Sequence, residues 1–304
     1  MNNSAFLAKA ALGGLLSATL TVLHLFPVPG LVFFSYFATL PLFLVGLGLG
    51  LRSLYVAGFL ASAIVLLLQG PFLAGEYLIF SFIGPAFLMN RALLNRTKKS
   101  GEVAWYPSSL LLRDMTLAAG CVMLIGVAAY LYFINGSDAG VILKPLLKSF
   151  DPQGHLKDAE PMLLKMLPFL PGFFALSWSI MILLNAVLAQ GLLVRFNQNL
   201  RPSASFSNLS VPNSFLIVFG ISFLLSFISV GAIEILGKNG AFVLTFPFLL
   251  VGLSLIHSWL HKTAYATAGL TIFYFLILLL FWPLLLVILL GILKPWIEKT
   301  FPSN

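Results

Sequence analysis

Charge is scarce in this chain. Only 9% of its 304 residues are Asp, Glu, Lys or Arg, whereas 60% are hydrophobic and the mean hydropathy is +1.03. A soluble domain carries roughly a quarter of its residues as charges, so an aqueous globular fold is excluded. Alternating polarity over segments of about 10 residues is also missing, which excludes a membrane β-barrel. Cys121 is the one cysteine and sits in an apolar run, so neither a disulfide framework nor a thiolate metal site is available. There is no Gly-x-Ser-x-Gly elbow and no Ser–His–acid grouping. The nearest approach to a phosphate loop, Gly231 to Lys238, is one residue too long and puts Asn239 where Ser or Thr would hold magnesium. No enzyme activity, no cofactor and no resident metal are expected. The net charge of +8 accompanies no nucleic-acid-binding motif. Its cations fall in loops and at helix ends, as positive-inside topology requires.

What is present is a series of apolar runs of about 20 residues, the length that spans a hydrocarbon core of about 30 Å. The expectation is an all-α polytopic membrane bundle forming a single domain over 1–304, with lipid as its solvent. The runs cover about 6–26, 32–51, 53–68, 72–89, 115–134, 178–195, 215–236 and 241–259. A last run, 264–293, contains Pro283 and reads either as one kinked helix or as a span plus a re-entrant piece. Eight to nine spans result. Pro27, Gly30, Gly70 and Pro71 mark tight connections, so the first four segments form antiparallel hairpins. The first run follows Lys9 without a cleavage motif and reads as a retained helix. Residues 138–167 form the longest polar insertion, with apolar residues at helical spacing that suit either two short amphipathic helices on the membrane surface or a lid over a cavity. With the N-terminus inside, ten Lys and Arg fall on the cytoplasmic side and seven opposite. That bias favours a cytoplasmic N-terminus.

Ionisable groups inside a membrane are costly and mark function by default. Glu76 and His24 are the candidates toward the outer side, where they could line a ligand site or simply sit at the interface. Glu234 and Lys238 have the spacing of a helical ion pair. His257 and His261 share a helix face, but no third ligand accompanies them, so His257 reads as an interfacial residue. The densest polar stretch is 178–212. Trp178, Ile182, Asn185, Ala189, Leu192 and Phe196 form one stripe, whereas Gln190 lies about 140° from Asn185 around the helix. The two amides therefore face different neighbours, either as interhelical hydrogen bonds or as ligand contacts. Arg195 reaches the cytoplasmic headgroups, and Asn199, Leu200, Arg201 and Pro202 end the helix.

Trp178, Asn185, Leu188-Ala189-Gln190, Arg195 and Asn199-Leu200-Arg201-Pro202-Ser203, followed by Leu236-Gly237-Lys238-Asn239, Pro247-Phe248-Leu249, Gly252-Leu253 and Ile256-His257, resemble the uncharacterised YybS-like bacterial membrane proteins. The resemblance is carried mainly by residues 170–262 and brings no established activity. It implies a fold distantly similar to the substrate-binding components of energy-coupling-factor transporters, in which small residues on the first helix dock a partner subunit. Ala10, Gly14 and Ala18 supply small-xxx-small spacings here; they serve either as such a face or as packing within the chain. Two functions are open. One is a small-molecule binding or transport component. The other is an assembly or regulatory partner in the membrane.

Overall fold

The computed structural model describes residues 3–26, 30–134, 160–206, 209–228 and 231–300. It is 82% helical, an all-α polytopic membrane helix bundle. Two compact units are resolved: Met1–Met115 with Trp178–Ser205, and Thr116–Ser177 with Phe206–Asn304.

The first unit opens with α1 (Asn3–Val22), α2 (Leu31–Ser35), α3 (Leu40–Leu49) and α4 (Leu51–Glu76). A π-helical segment (Tyr77–Ile83) leads into α5 (Gly84–Ala92), and a hairpin of β1 (Asn95–Thr97) and β2 (Val103–Trp105) precedes α6 (Ser108–Ile134). The small residues of α1 are consumed inside this unit. Ala10 and Ala18 are buried, and a Cβ at Gly14 would lie 2.5 Å from the Ala57 carbonyl oxygen. The close approach expected for a partner is thus made by α4. Between Leu51 and Ala92 the helical run breaks at Gly70, whose φ of 83° needs glycine, and Pro71 starts the next turn. The chain turns back there: Asn90 Nδ2 donates to the Tyr55 hydroxyl at 2.7 Å, and the Phe82 ring fills the space beside Gly58. The hairpin expected at Gln69–Pro71 is present.

The second unit holds the remainder of α6, then α7 (Glu160–Met166) and the beginning of α8 (Leu170–Arg195), joined by a 3-10 turn over Leu167–Phe169. It continues with α9 (Asn213–Leu225), α10 (Gly231–Leu260), α11 (Ala266–Leu280) and α12 (Pro283–Thr300). Phe215, Leu244 and Phe248 form its core. At Gly252 and Gly291, α10 and α12 touch backbone to backbone, against the Val287 and Phe248 carbonyls. Such contact is available only to small residues.

One sequence expectation changes and two become specific. Six helical runs among the described residues are long and apolar enough to cross a membrane, seven with the bent pair, and one of them, Leu51–Ala92, is the run folded back at Gly70; the expected eight to nine spans are not confirmed. Part of the difference is α9, which has 13 residues and ends at Leu225. The glycines at 237 and 240, read as a loop, lie inside α10, where Gly237 abuts Leu225 and Ser226; they are packing glycines and not turn glycines. The last run resolves as two helices bent by 119° at Phe281–Trp282. Residues 138–159 of the polar insertion lie outside the described residues; its end is α7, which runs on toward α8.

Candidate functional site: freed carbonyls and the side chains that take them

The second apolar run is not a continuous helix. Pro41 has no N–H to return to the Phe37 carbonyl, so the chain tightens: Leu40 N donates to Phe37 O, and Ala38 N donates to Ser35 O. Tyr36 to Thr39 fall between α2 and α3. At membrane depth each carbonyl released by such a break needs a donor. Asn185 Nδ2 supplies one to Tyr36 O at 2.8 Å, and Ser17 Oγ supplies another to Ala38 O at 2.5 Å. Because the single Ser17 hydrogen goes to that carbonyl, the Tyr77 hydroxyl, also 2.5 Å away, donates to Ser17.

A second release occurs in the π-helical segment. Gly84 N reaches back five residues to Ile79 O, which leaves Phe80 O to accept from Trp178 Nε1 at 2.8 Å. Pro85 explains the detour, since its ring clashes with the preceding turn of a regular helix. Trp178 and Asn185, both on α8, therefore close two breaks in neighbouring helices. With Ile182 and Ala189 they form the buried stripe expected from the sequence. The stripe continues to Leu193 and not to Leu192 and Phe196, which are exposed.

The same device recurs in the second unit, in a residue to which the sequence assigned no structural role. Asn239 is fully buried and wedged into the start of α8. Its Nδ2 donates to Pro168 O and to Ile235 O, both at 2.7 Å, and its Oδ1 accepts Gly172 N at 2.6 Å. It thereby bridges a carbonyl and an amide that would otherwise pair within the helix. Asn185 also bonds its own preceding turn, at Met181 O, but its Oδ1 is buried with no partner. Thr39 Oγ1 is likewise buried and unpartnered. The sequence reading missed Ser17, Thr39 and Tyr77. Pro41 inside an apolar run was the signal that could have found them.

The end of α8 is a clasp. Arg201, only 7% exposed, donates through its two terminal nitrogens to Ala92 O at 2.7 Å and Tyr106 O at 3.2 Å, with its guanidinium 5.8 Å from the Trp105 ring centre. Gln190 and Asn199 both donate to the Arg201 carbonyl, and Leu200 N donates to Leu47 O. Burial pulls the Arg201 guanidinium below its ordinary value. Alongside, buried Asp114 accepts from Arg113 and from the Tyr106 hydroxyl at 2.7 Å, with Arg91 at 3.5 Å. Burial, and then that carboxylate, push the Tyr106 hydroxyl upward. Gln190 thus faces its own chain end and Asn185 a neighbouring helix, as the spacing required.

The remaining candidates do not join this arrangement. Glu76 is exposed at the end of α4, and Arg195 and Pro202 are exposed. The side chain of His24 lies outside the described residues. His257 Nε2 lies 2.7 Å from the Tyr274 hydroxyl, and no metal-holding group of His, Cys, Asp or Glu occurs among the described residues. Glu234 and Lys238 form their helical pair.

No curated protein and no solved structure matches the chain, and no likeness to energy-coupling-factor components is shown. A family model described as "Predicted membrane protein (DUF2232)" matches residues 15–293. With nearly its whole length covered, and with the apolar helices and polar markers described above, the chain belongs to this family of membrane proteins of unknown function.

Proposed function

We propose that the protein is a small-molecule binding component of transport type, without bond chemistry of its own, in a bacterial inner membrane with its N-terminus cytoplasmic. The observation that carries this reading is the break at Tyr36–Thr39. Irregular backbone at membrane depth persists only where it is buried in protein or lines a cavity, and broken helices are the usual site of ligand contact in transporters. Asn185 lies ten residues before Arg195, about 15 Å along the helix, which is half of a hydrocarbon core of about 30 Å. The polar level made by Ser17, Thr39, Tyr77 and Asn185 therefore falls near the bilayer middle. Glu76, exposed, supports an interfacial role more than a ligand role.

The second reading, an assembly or regulatory partner, has one observation in its favour. α11 is 15 residues long and apolar, and none of its residues is buried in the second unit. Its first proposed surface is gone, since Ala10, Gly14 and Ala18 are packed against the protein's own helices. Native mass spectrometry of the detergent-purified protein separates the two. The binding reading expects one small species released in near-stoichiometric amount. An empty protein that co-purifies in fixed ratio with another membrane subunit would overturn it.

A further inference from the structure

The two asparagine bridges differ in one atom, and that atom points to a ligand. In the second unit Asn239 uses both ends of its amide, and the bridge is complete. In the first unit Asn185 is held in the same way through Nδ2, by Tyr36 O and Met181 O, so the amide orientation is fixed and Oδ1 must face away from both carbonyls. That oxygen is buried and has no partner, and so is Thr39 Oγ1, three residues along the chain from the bonded Tyr36 carbonyl. A carbonyl in a helical turn points toward the residues three and four ahead, which brings the Asn185 amide to the Thr39 turn. Beside them, Ser17 and Tyr77 form a short chain in which Tyr77 Oη donates and keeps its lone pairs. Ala38, which receives that chain, is the residue before Thr39.

The hydrogen-bonding balance of this level is lopsided. Thr39 holds the one unspent hydrogen among these groups, whereas Asn185 Oδ1, Thr39 Oγ1 and Tyr77 Oη all retain acceptor capacity. A buried polar group without a partner is destabilising, more so in hydrocarbon. An excess of oxygen acceptors is relieved by a guest that brings positive charge. The set is hard oxygen throughout, which suits alkali or ammonium ions and not transition metals. It contains no carboxylate, and divalent ions are generally held by carboxylates.

We propose that the first unit carries a monovalent-cation site between the Tyr36–Thr39 break and Asn185, with Asn185 Oδ1 and Thr39 Oγ1 as its side-chain ligands. The inference rests on the proposed binding role only in using the same break, and it concerns occupancy and not flux.

The test is a thermal melt of the purified full-length protein in choline chloride, with sodium, potassium or ammonium chloride substituted at constant ionic strength. One of the three ions is expected to raise the melting temperature saturably. Thr39→Val, which keeps the shape and removes the oxygen, is expected to weaken the half-saturating concentration about tenfold or more, the equivalent of one good ligand contact. Asn185→Leu is expected to abolish the response, but it also uncaps Tyr36; Thr39→Val therefore decides the matter if the Leu variant does not fold. Identical melts in all four salts would overturn the site and leave a buried water as the occupant of the two oxygens. A salt response that Thr39→Val does not change would overturn it as well. A protein that retains a small molecule yet ignores cations loses only this inference, and one that binds the cation but retains no other molecule loses only the broader reading.

Discussion

Asn185 and Asn239 do the same work with different degrees of completion, and their substitution separates structural from spare capacity. Interhelical hydrogen bonds inside membranes average about 0.6 kcal/mol each. Asn239→Leu removes bonds to Pro168, Gly172 and Ile235 and strands a buried amide and carbonyl. It is expected to cost roughly 2 kcal/mol, against roughly 1 kcal/mol for Asn185→Leu, which strands only the Tyr36 carbonyl. Reversible unfolding in mixed micelles compares the two. Tyr106 provides a pH handle outside the spans. Its folded-state value is raised, by burial and then by the hydrogen bond to Asp114. Its contribution to stability is therefore complete below the free tyrosine value of about 10 and is lost as pH rises from there through the raised value. The melting temperature should fall more steeply in that alkaline window for the native protein than for Tyr106→Phe.

At the scale of elements, proline sets where the first unit departs from regular helix. Pro41 produces the Tyr36–Thr39 break, Pro71 follows the reversal at Gly70, and Pro85 follows the π-helical segment. Pro41→Ala returns an N–H to the Phe37 carbonyl and lets the helix close through the break. That closure competes with the Asn185 bond. The variant is expected to gain helicity by circular dichroism while its apolar run becomes continuous, and to lose small-molecule retention. Unchanged retention would separate the break from binding. The sequence showed the outer features of these elements, because hydropathy reports lipid contact and Gly70-Pro71 reports a turn. It did not show the break, since a proline such as Pro41 is equally at home in the first turn of an uninterrupted helix start. Nor did it show that Gly237 and Gly240 are helical; a packing glycine and a turn glycine are the same letter until the neighbour, here Leu225 and Ser226 for the first and Ser222 for the second, is known.

At the scale of the molecule, an all-α membrane protein was legible from composition alone, because a chain with 9% charge has no aqueous fold to adopt. The markers at 178–203 were legible as polar residues in an apolar stretch, and their different directions followed from helix geometry. Their partners were not: Tyr36, Ala38, Phe80 and Ala92 contribute backbone carbonyls, and a carbonyl has no signature in sequence. The arrangement that results is α8 closing the breaks of its neighbours, with Arg201 fastening its end and one buried amide oxygen left without a partner.

That arrangement depends on the contact between the Asn185 side-chain nitrogen and the Tyr36 carbonyl. Dipolar-recoupling solid-state NMR measures it in bilayers, on protein labelled with 15N in asparagine side chains and 13C in tyrosine carbonyls, with Asn185→Leu to assign the signal. The account expects a short nitrogen–carbon coupling, matching the 2.8 Å hydrogen bond, that disappears in Asn185→Leu. A spectrum without that coupling, or with one that survives the substitution, would contradict it.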